Sequence, residues 1–372
     1  MDAIQKERAD APALLVELVA AQPEKRNLLV ANSSRFQTWG VYELLLERSW
    51  ELRSLRRDQS EELAKLAIEL SSHLEPSYYT PELIEDLRAR AWSYIANLRR
   101  IASDLDGASQ AFEISYVHLK HGSREPLERA LFLDLKAALC GAQRRFHQAI
   151  HLLHRAITIF RYCGDDHRVG KSLVSLAAVY SYAGKIEEAI PLLKQALTLI
   201  DATQDERLVL GAWHNLIDDL AMLGRFIEAQ GLYRKARPLY RRNREIDIDL
   251  RRLWVKGKIE RGLGQISSAE SLFLAARTGF LAQDFPFEAA LVSLELAILY
   301  AEQERTAELK QLAVEMLPIF TSRHIHREAL AALMFLKQAV ETERLSIEVV
   351  TGIADFLRRA ESDPSLTFKA PA

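Results

Sequence analysis

A small residue recurs in this chain about every forty positions, and this period constrains the fold more than any other feature. Ala108, Ala149, Ala189, Ala229 and Ala269 are separated by steps of 41, 40, 40 and 40 residues, and Leu309 and Val349 continue the register. A glycine recurs with the same period at Gly184, Gly224 and Gly264. A register sustained this long is typical of a chain built from repeats that pack on their neighbours.

The stretch from residue 170 to residue 200 shows one repeat most clearly and predicts two helices joined by a tight turn. Apolar residues occupy one face of the first helix at Leu173, Leu176, Ala177 and Tyr180, Gly184 and Ile186 form the corner, and Ala189, Leu193 and Ala196 follow on the second helix. The small side chains of Ala177 and Ala189 allow two antiparallel helices to approach closely. Gly184 suits a chain reversal that needs a positive φ.

These offsets resemble the tetratricopeptide (TPR) consensus, which has small residues at its eighth and twentieth positions. The resemblance covers residues 81–361 and implies an all-α, right-handed TPR-like α-solenoid of antiparallel helix pairs. The chain also resembles bacterial TPR proteins of regulatory or signalling type. The standard TPR unit has about 34 residues. We therefore expect most of the extra residues of this longer period to follow each second helix, at 162–166, 201–205 and 242–245. Longer second helices with polar connectors would accommodate them.

Breaks in the pattern divide the chain into five parts. We expect a flexible N-terminus at 1–11, a helical lead-in with a degenerate first helix pair at 12–80, and TPR-like repeats at 81–325. Capping helices are expected at 326–361 and a flexible tail at 362–372. The replacement of alanine by Leu309 and Val349 fits a terminal cap, because the outer face of the last repeat must be wetted.

Composition limits the classes of function. The 372 residues carry a net charge of −2 and only two cysteines, Cys140 and Cys163, which excludes a disulfide framework and favours a reducing compartment. The first residues lack the pattern of a secretory signal, and no run of about 18 apolar residues appears. We therefore expect a cytoplasmic protein with no membrane partner.

No residue pattern indicates catalysis, a metal or a cofactor. His147, His151 and His154 share one helix face, but the sequence offers no HExxH motif and no acid or cysteine on that face. The Gly170-Lys171-Ser172 triplet does not follow a strand, so it is not a phosphate-binding loop. We expect a protein that is not an enzyme.

The TPR resemblance implies that the first helix of each repeat lines a concave groove. The positions that would face it include Arg90, Asn97, Arg100, Lys171, His214, Asp218, Arg251, Trp254, Lys258 and Arg261. The last four are spaced i, i+3, i+7 and i+10 and share one helix face. An indole flanked by cations is a recognition surface for an acidic or aromatic-bearing peptide. The alternative is a solvated charged face with Trp254 packed on the preceding repeat.

Residues 231–265 hold eleven Lys and Arg against four acids, a local net charge of +7. This asymmetry favours an anionic partner. Our first hypothesis is an adaptor or scaffold that binds a protein or peptide, of acidic character, in the groove. A second is a ligand- or peptide-sensing regulator whose curvature changes on binding. A nucleic-acid-associated subunit using 231–265 is a third, disfavoured because stacking aromatics are sparse.

Overall fold

A computed structural model describes residues 3–53 and 56–321, together with Gly352 and Phe356 as isolated positions. The described residues form sixteen α-helices and one short 3-10 helix, Ser34–Phe36, joined by connecting segments. No strand occurs among them. None of the helices in these ranges is long and apolar enough to cross a membrane. The expected capping helices at 326–361, the tail at 362–372 and the Val349 position lie outside the described residues, apart from those two isolated positions.

The helices follow one another with short connections. The lead-in comprises α1 (Ala3–Ala20), α2 (Pro23–Asn32), α3 (Trp39–Leu52) and α4 (Arg57–Ser71). The next group comprises α5 (Pro81–Ile101), α6 (Leu105–His121), α7 (Pro126–Ala142), α8 (Phe146–Tyr162), α9 (Asp166–Tyr182) and α10 (Ile186–Leu199). The last group comprises α11 (Glu206–Met222), α12 (Phe226–Arg242), α13 (Ile246–Gly262), α14 (Ile266–Ala282), α15 (Pro286–Glu302) and α16 (Thr306–Thr321).

Local sequence explains where these helices begin. The Thr80 hydroxyl accepts from the Leu83 amide at 3.4 Å, and Pro81 occupies the first helical position of α5. The Asp205 carboxylate caps α11 by accepting from the Leu208 amide at 2.8 Å. At the N-terminus the structure differs from expectation, because α1 already begins at Ala3 and carries Pro12 in its interior.

The forty-residue period arises from long helices and not from long connections. In the repeat formed by α13 and α14, two helices of 17 residues are joined by three residues, and three more lead to α15. The connections near 162–166 and 242–245 are short, so the excess there lies in longer second helices, as expected, and not in long connectors. Among the second helices from α6 to α14, the shorter α10, with 14 residues, is followed by the longest link, at 200–205.

The recurring small residues lie at the helix contacts, as the register predicts. Ala108, Ala149, Ala177, Ala189, Ala229 and Ala269 are all fully buried, and Leu309 is 2% exposed. The turn glycines Gly184, Gly224 and Gly264 have φ values of +73°, +73° and +76°. Ser103, Arg144 and Glu304 adopt the same left-handed conformation at the equivalent turns of other repeats. The turn geometry thus belongs to the repeat even where glycine is absent.

The chain divides into two compact units, Met1–Ser172 and Leu173–Ala372, with the division inside α9. In the first unit α5 packs against both α6 and α7, and α3 packs against α1 and α4. In the second unit α11 packs against α12 and α13, and α14 packs against α13 and α15. A buried cluster from α13 to α16, including Phe273, Phe280 and Leu299, forms the core at the C-terminal side of the second unit.

Candidate functional site

The second unit contains a cavity of about 630 Å³. Side chains from the first helices of successive repeats line it: α11, α13 and α15 contribute most of the surface, and the last turn of α9 contributes Ser181 and Tyr182. Tyr240, from α12, closes part of the wall. The sequence-based expectation that first helices of successive repeats share one surface agrees with this arrangement in the second unit.

Five of the ten residues selected from the sequence line this cavity: His214, Asp218, Arg251, Trp254 and Lys258. The spacing i, i+3 and i+7 places the last three on one side of α13. Arg261, expected on the same face, does not line the cavity. Its guanidinium instead donates to the Glu295 carboxylate of α15 at 3.0 Å.

The cations on α13 are paired with carboxylates from the neighbouring repeats. The Lys258 ammonium donates to Asp218 Oδ1 on α11 at 2.7 Å. On the other side, the Arg251 guanidinium donates to Glu288 Oε1 on α15 at 2.8 Å. The basic face expected from α13 alone is therefore neutralised, because the acids that compensate it lie one repeat away.

The charged residues that line the cavity do not favour an acidic ligand. The cations are Arg207, Arg251 and Lys258, and the carboxylates are Asp218, Asp219, Asp247, Glu288 and Glu295. Asp219 is 4% exposed, and burial raises the pKa of its carboxyl to about 7. The acidic character expected of the partner receives no support from this lining and stays a prediction.

Trp254 combines a packed ring with an unused donor. Its ring meets Phe280 edge-on, with 6.2 Å between centroids, and the Lys258 ammonium lies 4.6 Å from its centroid. Phe280 belongs to the second helix of the same repeat, so Trp254 does not require the preceding repeat for its packing. The indole Nε1–H is buried and has no hydrogen-bond acceptor among the described residues.

Asn215 and His214 lie side by side on α11. The amide of Asn215 lines the cavity and makes no hydrogen bond within the part of the chain that the structure describes. Asn215 is not among the residues selected from the sequence, although its position next to His214 and near Asp218 could have suggested it. His214 Nδ1 hydrogen-bonds with the Tyr240 hydroxyl at 2.9 Å, and burial lowers the pKa of the imidazole to about 4. His214 is thus neutral at physiological pH.

Arg90, Asn97 and Arg100, also expected in the groove, lie on α5 in the first unit. Arg90 Nε donates to Glu128 Oε2 at 3.0 Å, so its charge is compensated. Asn97 is 4% exposed, and its Oδ1 accepts from the Arg100 guanidinium at 2.9 and 3.1 Å. Burial lowers the pKa of Arg100. None of these three residues lines the cavity of the second unit, and their role in binding stays a prediction.

Lys171, the remaining candidate, lies on α9 within the first unit. Its ammonium is 4.8 Å from the centroid of the Trp50 ring, and Trp50 in turn lies 5.0 Å from Tyr94. The Gly170-Lys171-Ser172 triplet is inside α9, and the Ser172 hydroxyl donates to Asp134 at 2.6 Å. Ser172 is thus engaged by an intramolecular hydrogen bond.

His147, His151 and His154 are exposed on the outer face of α8. Across the described ranges, no group of three or more His, Cys, Asp or Glu side chains is placed to hold a metal ion. Cys140 and Cys163 are free thiols, the first buried and the second exposed.

Residues 128–202, which span α7 to α10, match the family model described as tetratricopeptide repeat. Residues 128–202 therefore carry tetratricopeptide repeats. The match confirms the resemblance inferred from the small-residue register. None of the curated proteins matches the chain in sequence.

Solved structures share the TPR fold over most of the chain. A Rap protein complexed with competence and sporulation factor superimposes with a TM-score of 0.67 at 16% identity, covering 87% of this chain and 88% of that one. The apo form of the quorum sensor NprR from B. thuringiensis gives a TM-score of 0.61 at 13% identity, covering 86% and 90%. These structures confirm the all-α, TPR-like α-solenoid fold.

Two further structures extend this comparison. NprR in complex with its cognate peptide NprX has a TM-score of 0.56 at 14% identity, covering 82% of this chain and 88% of that one. Aspartyl phosphate phosphatase F from Bacillus subtilis has a TM-score of 0.51 at 14% identity, covering 85% and 83%. At these identities the likeness establishes the fold.

Proposed function

We propose that this chain is a regulatory TPR protein that binds a short peptide, or a short extended segment of a protein, in the cavity of the second unit. The observation that carries the proposal is the buried Trp254 Nε1–H, which has no acceptor among the described residues. A buried donor without a partner is costly, by about 1–3 kcal/mol. Trp254 lines the cavity, and a ligand carbonyl that reaches Nε1 as the covering side chains move aside would remove that cost.

The rest of the cavity suits a peptide backbone. The Asn215 amide offers one acceptor and two donors and is not used within the described structure. A volume of about 630 Å³ falls in the range of sites for small ligands, about 300–1,000 Å³. It therefore suits a short segment better than the surface of a folded domain. The fold also occurs in NprR, which is known in complex with its cognate peptide.

We propose binding and not catalysis as the role of this cavity. The side chains that could transfer protons are engaged with one another: His214 with Tyr240, and Asp219 with the Ser181 hydroxyl at 3.0 Å. The cation–carboxylate pairs also disfavour the nucleic-acid alternative for this surface, because phosphate groups would have to displace carboxylates. Whether binding regulates an attached partner, as in an adaptor, or shifts the curvature of the repeats, as in a sensor, depends on the ligand.

A defined library of short, uncharged and charged fluorescent peptides tests the proposal by anisotropy. We expect at least one peptide to bind saturably. Its affinity should fall at least about tenfold in Asn215→Ala, because this variant loses one or two hydrogen bonds to the peptide. Asn243→Ala is the matched control, since Asn243 bonds to Glu206 away from the cavity. The proposal is contradicted if no peptide of the library binds, or if the two variants bind the peptide with equal affinity.

A further inference from the structure

The outer face of α12 carries a stripe of exposed side chains opposite the face that packs into the protein. Ile227, Arg234 and Arg241 recur every seven residues, and Arg237 lies beside them. All four are exposed, Ile227 by 81%. The buried residues Ala229, Ala236 and Tyr240 lie on the other side of the helix. The stripe spans 15 residues, from 227 to 241, so its ends lie about 21 Å apart along the helix.

The arginines of this stripe make no ion pair with any described residue. Arg234 donates to the neutral amide of Gln230 at 3.1 Å, and neither Arg237 nor Arg241 has a carboxylate partner in the described ranges. By contrast, Arg251, Lys258 and Arg261 are all paired. Part of the excess positive charge of residues 231–265 is therefore presented on the outside of α12, while the cations named from α13 are compensated.

The arrangement is unfavourable for the helix by itself. Arg237 and Arg241 are four residues apart, where like charges repel by about 0.2–0.5 kcal/mol. The negative end of the helix dipole compensates cations in the last turn, but Arg234 and Arg237 precede that turn.

The equivalent positions of the neighbouring repeats differ. Forty residues earlier they are Glu187, Lys194 and Asp201, and forty residues later they are Ser267, Leu274 and Leu281. The stripe is thus a property of α12 and not of the repeat.

We propose that the outer face of α12 docks an acidic helical segment of a partner protein. The guanidinium groups match carboxylates in bidentate geometry, and a helix carrying acids at three- and four-residue spacing presents them along one face. Ile227 would contact an apolar residue at the end of that segment.

The stripe fits this occupant better than nucleic acid. Binding of single-stranded nucleic acid relies on aromatic side chains that stack with the bases, and the stripe holds none. Of the two tyrosines of α12, Tyr240 is buried and Tyr233 packs against it, with 5.8 Å between the ring centroids.

The test measures anisotropy of a labelled synthetic helical peptide that carries glutamates at this spacing and one leucine. The full chain is compared with Arg234→Glu/Arg241→Glu and with Arg155→Glu/Arg161→Glu. The second pair changes the net charge equally on the exposed face of α8, where neither arginine has an ion pair with a described residue. We expect the α12 variant to lose at least about tenfold in affinity and the α8 variant to bind as the parent does.

Three results would overturn the proposal: no binding of the acidic peptide, equal losses in both charge variants, or tighter binding of a short DNA duplex through the same arginines. Ile227→Ser leaves the charge of the stripe unchanged and tests the apolar contact. We expect this variant to bind the acidic peptide more weakly than the parent at high salt. The proposal is independent of the cavity, since the α12 variant should still bind the cavity's peptide with parental affinity. Circular dichroism of each variant confirms that it is folded.

Discussion

The Lys258 ammonium lies 2.7 Å from Asp218 Oδ1, and the two residues occupy the same position of successive repeats, forty residues apart. The pair is partly buried, with side-chain exposures of 13% for Lys258 and 29% for Asp218. It joins α11 to α13 at the wall of the cavity. Similar links between successive repeats connect Arg251 with Glu288 and Arg261 with Glu295.

This ion pair should be strongly coupled. We expect a double-mutant cycle with Lys258→Ala and Asp218→Ala to give a coupling free energy of about 1–3 kcal/mol by chemical denaturation. The exposed pair between Arg242 and Glu206, with exposures of 58% and 37%, is the control and should show clearly weaker coupling, because solvent screens it. Equal coupling in both cycles would show that Lys258 and Asp218 do not hold the two helices together.

The left-handed turn predicts opposite effects for two glycine exchanges. Gly184→Ala should destabilise the protein by about 1 kcal/mol, because φ is +73° while no atom lies near the added Cβ. Ser103→Gly, at a φ of +64°, should stabilise it by about 0.5–1 kcal/mol. Gly231→Ala is the control, since this glycine is inside α12 with open space around it and the exchange should stabilise. Thermal unfolding that ranks the three variants differently would refute the turn assignment.

Asp219 should make the stability depend on pH. Its pKa is raised from 3.8 to about 7 by burial, so the folded state holds a proton that the unfolded state releases between these values. Folding stability therefore falls as pH rises from about 4 to about 7. Asp219→Asn should gain stability relative to the parent over this interval, measured by urea unfolding at several pH values. A difference that does not change with pH would contradict the raised pKa.

His214 should act in the opposite direction. Burial lowers its pKa from 6.5 to about 4, so the unfolded state binds the proton first and stability is lost as pH falls through this interval. The free energy of unfolding of His214→Gln should rise relative to that of the parent as pH falls from about 6.5 to about 4. Because the contributions of Asp219 and His214 oppose each other between about 4 and 6.5, the parent should show a flatter profile there than either variant. A parental profile steeper than both would refute this account.

The sequence predicts the repeat because the helices of every unit need small residues at the same contact positions. These residues therefore recur with a fixed period that one sequence is enough to show. Ala177 and Ala189 reveal the helix contact without any knowledge of the partner helix. The cavity could be predicted only in part. His214, Asp218 and Trp254 follow from helical spacing, but the charge of the site depends on pairs such as Lys258 with Asp218, which reading one helix at a time does not reveal.

The sequence also did not predict the burial of two indole donors. Both Trp39 and Trp254 have a buried Nε1–H without an acceptor among the described residues, and nothing in the local sequence of either predicts this. Burial depends on the neighbouring helices, whose separation a single sequence does not give. The location of the basic stripe on the outside of α12, in contrast, could be derived from spacing alone, since Ala229 and Ala236 fix the buried side.

The indole resonance of Trp254 tests the central claim most directly. In the protein labelled with nitrogen-15 at tryptophan, the signals of Trp254 and Trp39 among the five indole resonances can be assigned with Trp254→Phe and Trp39→Phe. We expect the Trp254 proton to shift downfield when the library's tightest peptide is added, because Nε1–H gains an acceptor, while the Trp39 signal stays in place. We also expect Trp254→Phe, but not Trp39→Phe, to weaken peptide binding about five- to tenfold. An unchanged Trp254 signal at saturating peptide would contradict binding in this cavity.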